Sequence, residues 1–173
     1  IVVGAGIVGL AHAYEAAQRG LKVCVVERDA ACVSASIRNF GFVTVTGQGA
    51  GDTWRRARFA RDVWADIAPK AGINVVHQGL NVVAKRDKSV DVLQAFMRTD
   101  MAQSVGCSLW SAQEAARHAP ELKLGNAKAV LHSPIELRVE SRDAIGQLTG
   151  WLAEAHGVTF RFGEAVLEVA TPK

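Results

Sequence analysis

The chain has 173 residues, of which 49% are hydrophobic and 21% charged, and this composition is typical of an ordered globular protein. Its 20 basic and 17 acidic residues give a formal net charge of +3, which is too close to balance to indicate nucleic acid as a partner. No stretch is long and apolar enough to predict a transmembrane helix. Composition thus argues against disordered, membrane-spanning and nucleic-acid-binding classes.

The number and spacing of the cysteines and histidines indicate neither a metal site nor a set of disulfide bonds. Cys24, Cys32 and Cys107 are odd in number and lack CxxC spacing, and the five histidines form no ligand cluster. The sequence therefore predicts no metal site, and the unpaired cysteines favour the cytoplasm. The chain starts at Ile1, inside a predicted strand and without a methionine, so we expect it to be part of a longer protein.

The first thirty residues have the pattern of a βαβ unit. Residues 1–3 are β-branched and end in glycines, and residues 7–19 have alanine-rich helical composition closed by Gly20. Residues 21–27 form an apolar run that is typical of a strand covered on both faces of a parallel sheet. Residues 28–51 are small and polar and predict a long functional loop around a short strand at residues 42–45.

The middle of the chain changes to a different pattern. A helix is predicted from Asp52, with one stripe of Ala57, Ala60, Trp64 and Ile67, and with Arg55, Arg58 and Asp62 away from that stripe. Residues 74–76 and 80–85 predict two short strands, and Gln78 and Gly79 between them suggest a hairpin. Antiparallel pairing of this kind indicates a second structural region.

The remaining elements follow in simple order. Helices are predicted at residues 89–105 and 111–118, a strand at residues 127–132, and a helix at residues 140–157 that stops at Gly157. Two final strands are predicted at residues 158–162 and 165–169. No internal repeat is present.

The glycine motif carries the chemistry. The first nine residues, IVVGAGIVG, place a GxGxxG between a strand and a helix. Gly4 permits a tight turn, Gly6 leaves room for a pyrophosphate, and Gly9 allows the helix and strand to pack closely. We expect N–H groups near Ile7 and Val8, with the helix dipole, to bind the diphosphate.

Glu27 ends the second strand, 18 residues after Gly9, and is expected to accept hydrogen bonds from the ribose of an adenine dinucleotide. Its negative charge disfavours a cofactor with a 2′-phosphate, so NADP is disfavoured. FAD and NAD are not separated by the motif. The pattern is far more specific than a GxGxxG alone, because the motif lies between a strand and a helix and is followed by a second strand that ends in an acid.

The segment ERDAACVSASIRNFGFVTVTG, which begins at Glu27, resembles the FAD-contacting region of the D-amino acid oxidase-like (DAO) family, and GVTFRFGEAVLEV resembles a later strand pair of that family. The resemblance implies FAD as the cofactor, with small residues and a loop lying along the flavin and a valine contacting the adenine. The predicted cofactor-binding residues are Gly4, Gly6, Ile7, Val8, Gly9, Glu27, Arg28, Ser34, Ala35, Ser36, Arg38, Asn39, Gly41, Phe42 and Val166.

The implied fold is α/β, a Rossmann-like FAD-binding βαβ domain with an inserted antiparallel (α+β) substrate region, incomplete relative to the family. We expect residues 1–72 and 139–173 to form the FAD-binding domain and residues 73–138 part of the substrate region. The family's second half, which completes the substrate pocket, has no counterpart in the 173 residues. The catalytic residues are therefore unknown.

The resemblance implies an oxidoreductase that oxidises a small amine or amino acid by hydride transfer to flavin N5, with oxygen or a quinone as the electron acceptor. A positively charged Arg38 near the flavin would favour its reduced anion. The alternatives are a flavin dehydrogenase of a hydroxy acid or glycerol phosphate, a plain NAD dehydrogenase, and a non-catalytic nucleotide-binding fragment.

The arginine-rich segment WRRARFAR at residues 54–61 has two interpretations. It can present cations to an anionic substrate, or it can be the solvated face of a helix with one buried stripe. The second is the commoner arrangement for such a run.

Overall fold

The computed structural model describes residues 1–170, which contain seven β-strands, six α-helices and a 3₁₀ turn at Ala35–Ile37. The strands are β1 (Val2–Val3), β2 (Cys24–Glu27), β3 (Phe42–Val43), β4 (Val75–Ala84), β5 (Ser108–Ser111), β6 (Ala129–Val139) and β7 (Thr159–Phe162). The helices are α1 (Ile7–Gln18), α2 (Asp52–Lys70), α3 (Asp87–Met97), α4 (Asp100–Ser104), α5 (Ala112–His118) and α6 (Ser141–His156). No helix within residues 1–170 combines the length and the apolar composition needed to cross a bilayer.

The chain divides into two compact units. The first contains Ile1–Gly41, Asp66–Val75 and the described residues from Val139 onward, and the second contains Phe42–Ala65 and Val76–Arg138. The domain ranges expected from the sequence, 1–72, 73–138 and 139–173, stay a prediction, and the last three residues of the third range lie outside the described part of the chain.

The first unit is built on a parallel sheet with the order β1-β2-β7. Val2 pairs with Val25, and Cys24 pairs with Thr159. Helix α1 contacts β1, β2 and α6, and it buries Leu10 completely, as α6 buries Leu152. The buried Leu10, Leu152 and Val25 form part of the apolar core of this unit, whereas Val3 on β1 is 60% exposed. The predicted βαβ unit is confirmed.

The second unit contains a sheet in which β6 lies between β3 and β4, and β5 also pairs with β6. Strands β3 and β5 are both antiparallel to β6. A buried cluster of Val45, Trp54 and Val105 packs beside this sheet, with Met101 and Ile135 against it. The predicted α/β class with an antiparallel region is thus confirmed.

Several element predictions are wrong. The expected hairpin at Gln78 and Gly79 is one continuous strand, β4, in which Gly79 has a φ of +88° and a side chain there would come within 3.1 Å of the Ser133 carbonyl oxygen. The glycine therefore marks a close approach of two strands and not a turn. The helix expected at residues 89–105 is two helices, because Thr99 caps α4 by accepting a hydrogen bond from the Ala102 N–H.

The strand expected at residues 165–169 is absent from the described chain, since β7 ends at Phe162 and Gly163 follows with a φ of +75°. Strand β6 runs seven residues past the end predicted at residue 132, and β5 was not predicted at all. Both are defined by pairing with each other across about twenty residues of chain, which local patterns do not report.

The buried residues of helix α2 differ from those predicted. Ala60 is exposed, whereas Arg58 and Arg61 are partly buried. Their guanidinium groups donate to the carbonyl oxygens of Ser104, at 3.3 Å, and Ile135, at 2.6 Å. These two arginines therefore tie the helix to its own unit, and the arginine run is a packing feature at these positions.

Glu136 on β6 is an ionisable side chain in the core of the second unit, 2% exposed, and its Oε1 accepts a 2.7 Å hydrogen bond from the Thr46 N–H. Burial alone would raise the pKa of Glu136, but the nearby Ser133 and Thr46 hydroxyls and the Thr46 N–H outweigh burial and hold the pKa below its usual range. Neither hydroxyl meets hydrogen-bond geometry, so each acts as a dipole close to the charge.

We expect Glu136 to stabilise the fold above the unfolded-state pKa of about 4.3 and to lose this contribution as the pH falls through its lower folded-state pKa. Glu136→Gln should therefore flatten the acid side of the pH–stability curve. Urea unfolding of both proteins between pH 3 and pH 7 measures this, and curves that stay parallel throughout would show that the carboxylate charge has no such role.

Candidate cofactor-binding site

The glycine motif forms a strand-to-helix turn in the first unit. Gly4 follows β1 with a φ of +97°, a conformation that L side chains rarely adopt, and its N–H donates to the Val26 carbonyl at 2.8 Å. A β-carbon on Gly9 would lie 1.9 Å from the Gly4 carbonyl oxygen, so only glycine fits there. Together these positions bring the start of α1 close against the turn.

The amino terminus of α1 is capped by a side chain from the loop after β2. Gly6 is the N-cap residue and offers no side chain, and the Ile7 N–H donates to Ser36 Oγ at 3.0 Å. The sequence predicted a free N–H at Ile7, and the structure gives it a protein acceptor. Because a hydroxyl both accepts and donates, Ser36 keeps its own proton for an anion at this helix end.

Glu27, at the end of β2, is joined to the turn. Its Oε2 accepts from the Ala5 N–H at 2.8 Å, and its Oε1 accepts from the Asp29 N–H at 3.1 Å. The bond from Ala5 and then that from Asp29 lower the pKa of Glu27. The carboxylate is therefore ionised at neutral pH, and each oxygen has a further lone pair for a hydroxyl donor.

The loop beyond the 3₁₀ turn is held by Asn39. Its side-chain amide donates to the carbonyls of Ala35, at 3.2 Å, and Ser36, at 2.7 Å, while its Oδ1 accepts from the Gly41 N–H at 2.7 Å. The Ser141 hydroxyl donates to the Asn39 carbonyl at 2.7 Å. Asn39 thus fixes the shape of the loop through hydrogen bonds to its backbone.

The structure brings most of the predicted site residues into one unit. Gly4, Gly6, Ile7 and Gly9 form the turn, and Glu27 and Ser36 bond directly to it. A pocket of about 490 Å³ borders the turn and is lined by β1 and the start of α1, including Val8.

The other predicted residues surround this centre less closely. Arg28 is exposed and lies 3.7 Å from the Asp29 carboxylate, and the Arg38 guanidinium makes no hydrogen bond or ion pair with residues 1–170. Val166 is 38% exposed and follows Glu164, whose N–H donates to the Glu27 carbonyl at 3.0 Å. Contacts of these residues with a cofactor stay predictions.

Sequence reasoning missed Ser141, which is 7% exposed and begins α6. No local pattern indicates it, because its partner Asn39 lies 102 residues earlier. The double role of Ser36, as helix cap and loop residue, was likewise not predicted, since its bond to Ile7 depends on the tertiary fold.

Ser36→Ala should destabilise the protein by about 1 kcal/mol, because the Ile7 N–H loses its acceptor at the start of a helix. Ser34→Ala is the matched control, since Ser34 precedes the same 3₁₀ turn without a side-chain capping bond. Urea unfolding of both variants makes the comparison, and equal losses of stability would exclude a capping role for Ser36.

The residues present fit the adenosine diphosphate half of FAD. The turn between β1 and α1 lacks side chains at Gly4 and Gly6, the first turn of the adjoining helix has no acidic residue, and the ionised Glu27 is hydrogen-bonded to the turn. Within residues 1–170, no group of three or more histidine, cysteine or acidic side chains is placed to hold a metal ion.

Solved structures with similar folds are known. An L-amino acid deaminase from Proteus myxofaciens in complex with anthranilate matches with a TM-score of 0.84 and 16% identity over 98% of this chain and 39% of its own. A glycine oxidase from Bacillus cereus matches with a TM-score of 0.79 and 18% identity over 98% of this chain and 48% of its own. A dithionite-reduced L-alpha-glycerophosphate oxidase from Mycoplasma pneumoniae with FAD bound matches with a TM-score of 0.76 and 20% identity over 93% of this chain and 43% of its own.

At these identities the likeness is one of fold, and the chain spans less than half the length of each of the three structures. No curated protein matches the chain at a significant level. Residues 1–172 match the family model DAO, described as FAD dependent oxidoreductase. The chain therefore belongs to the DAO family of FAD-dependent oxidoreductases.

Proposed function

We propose that the protein containing this chain binds FAD and oxidises a small amine or amino acid at its C–N bond. The observation that carries the proposal is the joining of the glycine turn, the ionised Glu27 and the Ser36 loop by direct hydrogen bonds in one unit. Family membership supports FAD over NAD as the occupant.

Each part of the site has a task in holding the cofactor. The Gly4–Gly9 turn and the amino terminus of α1 would hold the diphosphate, with the Ser36 hydroxyl as an added donor. Glu27 would accept from the ribose hydroxyls, and Arg28 and the backbone of Val166 would border the adenine. The loop from Ser34 to Phe42 would lie along the flavin, fixed by Asn39.

FAD, when bound, supplies an acceptor for the two electrons and the hydrogen removed from the carbon that bears the amine. The resulting imine then hydrolyses in water. The chain's contribution is to orient the cofactor and to exclude water from it, with Arg38 as a proposed positive charge beside the ring system. Its exposed guanidinium is available for this role.

Three structural neighbours support the amine substrate class, since they are named as glycine oxidase, L-amino acid deaminase and iminodiacetate oxidase. A second candidate is the oxidation of a hydroxy acid or glycerol phosphate, which the similar fold of an L-alpha-glycerophosphate oxidase supports. Free thiols at Cys24, Cys32 and Cys107 support a cytoplasmic location.

Anaerobic mixing of the FAD-loaded protein with amines, amino acids and hydroxy acids tests the proposal. Bleaching of the flavin absorbance by an amine or amino acid is the expected result. Bleaching by hydroxy compounds alone would replace it with the second candidate, and a protein that takes up no FAD would refute both. Readmission of oxygen or addition of a quinone then identifies the electron acceptor.

A further inference from the structure

The core of the second unit contains a group of buried polar atoms around Glu136. Within residues 1–170, three buried side-chain oxygens lack a hydrogen-bond partner, and all three belong to this unit: Thr46 Oγ1, Ser133 Oγ and Glu136 Oε2. Ser133 is completely buried and Glu136 is 2% exposed. Bulk solvent therefore does not supply the missing bonds of Ser133 and Glu136.

The three oxygens lie close to one another. Burial raises the pKa of Glu136, but the Ser133 and Thr46 hydroxyls lower it, which requires both of them to be near the carboxylate. Burial also raises the pKa of the Cys107 thiol, and the same two hydroxyls oppose that rise. The Thr46 N–H donates to Glu136 Oε1 at 2.7 Å, so the backbone holds Thr46 against the carboxylate.

Direct bonds among these side chains do not satisfy the three atoms, since neither hydroxyl meets hydrogen-bond geometry with Glu136. A buried polar group without a partner destabilises a fold, and an ionised group does so more strongly than a neutral one. Nearly all buried polar groups in native proteins are bonded to protein or to ordered water. A further donor and acceptor is therefore needed beside Glu136 Oε2.

A water molecule has the required hydrogen-bonding capacity. It can donate one hydrogen to Glu136 Oε2 and the other to one of the two hydroxyls, and it can accept from the second hydroxyl. About three bonds of this kind are usual for a water buried in a protein. A metal ion fits less well, because no group of three or more histidine, cysteine or acidic side chains within residues 1–170 is placed to hold one.

We propose that the second unit binds one internal water molecule, bonded to Glu136 Oε2, Thr46 Oγ1 and Ser133 Oγ. The water joins β6 to the loop after β3 inside the core. It also supplies the donor that the second oxygen of the Glu136 carboxylate does not receive from the protein, and so helps an ionised group to remain buried. The site lies within one unit and does not depend on the proposed function.

The first test is a high-resolution crystal structure of the FAD-loaded protein, with rubidium chloride replacing sodium and potassium salts. We expect an ordered oxygen peak about 2.5–3.0 Å from all three side-chain oxygens, without anomalous scattering from rubidium. Three results would overturn the proposal: no peak at this position, direct hydrogen bonds from both hydroxyls to Glu136, or a rubidium ion in place of the water.

The second test counts long-lived internal waters in solution by magnetic relaxation dispersion of the solvent. Thr46→Val and Ser133→Ala together remove both hydroxyls and leave an apolar lining, which does not retain water. Thr53→Val with Ser89→Ala is the matched control, since both residues are exposed on helices of the same unit.

The core double variant should contain one long-lived water fewer than the wild type, and the control double variant the same number as the wild type. Equal numbers in the wild type and the core double variant would contradict the proposal. If the core double variant does not fold, the crystal structure of the wild type decides alone, because it needs no substitution.

Discussion

Gly9→Ala is expected to destabilise the protein by roughly 3 kcal/mol, because the added β-carbon would lie 1.9 Å from the Gly4 carbonyl oxygen. That oxygen belongs to the backbone of the turn and cannot rotate away as a side chain would. Relief requires α1 to move away from β1, which opens the turn that we assign to the diphosphate. Loss of FAD binding should accompany the loss of stability.

The control for Gly9 is Gly146→Ala, on the exposed face of α6, where a β-carbon meets nothing within 4 Å. Alanine in an open helix interior is stabilising by up to about 1 kcal/mol relative to glycine. Denaturant unfolding and FAD titration of both variants give the comparison. A Gly9→Ala protein as stable as Gly146→Ala would mean that the turn and helix are not packed as described.

Gly41→Ala should cost about 3–4 kcal/mol through two separate effects. The residue has a φ of +69°, which disfavours a β-carbon, and that carbon would lie 1.9 Å from the Val139 carbonyl oxygen. The Gly41 N–H also bonds to Asn39, so a shift here displaces the loop assigned to the flavin. Reduced FAD affinity is expected together with the stability loss.

Gly47→Ala separates the two effects. Gly47 has a φ of +88°, but a β-carbon there meets nothing within 4 Å. It should therefore show only the conformational cost of about 1–2 kcal/mol. Equal losses of unfolding free energy in the two variants would argue that Gly41 and Val139 are not in close contact.

The βαβ unit was predictable from the sequence because its signals are local. The glycines, the helix at α1 and the acid ending β2 depend on residues that are near in the chain, and the structure adds a hydrogen bond from the Ala5 N–H to Glu27. The strand after Gly157 followed from a helix stop, since Gly157 adopts the left-handed conformation.

The second unit was less predictable because its interactions are distant in sequence. Gly79 has the chemistry of a turn residue, yet its positive φ serves a close approach to β6. Arg58 and Arg61 look like surface residues until their carbonyl partners, 46 and 74 residues away, are known. Strand β6 reaches its full length through pairing with β3, β4 and β5.

The candidate site was likewise only partly predictable from the sequence. The sequence predicted which residues would surround the adenosine diphosphate, but the bonds that hold them, from Ile7 to Ser36 and from Ser141 to Asn39, span 29 and 102 residues. Local sequence patterns therefore predict which residues form the site, whereas the hydrogen bonds that hold those residues in place depend on the tertiary fold.

The most direct test of the central claim is FAD affinity in Glu27→Gln, with Glu154→Gln on the exposed face of α6 as the control. The amide keeps the size of the side chain but loses the charge and one of the two oxygens that accept from Ala5 and Asp29. We expect FAD to bind the Glu27 variant about 10- to 100-fold more weakly and the control as tightly as the wild type. Equal FAD affinity in all three proteins would contradict the assignment of this turn and acid to the cofactor.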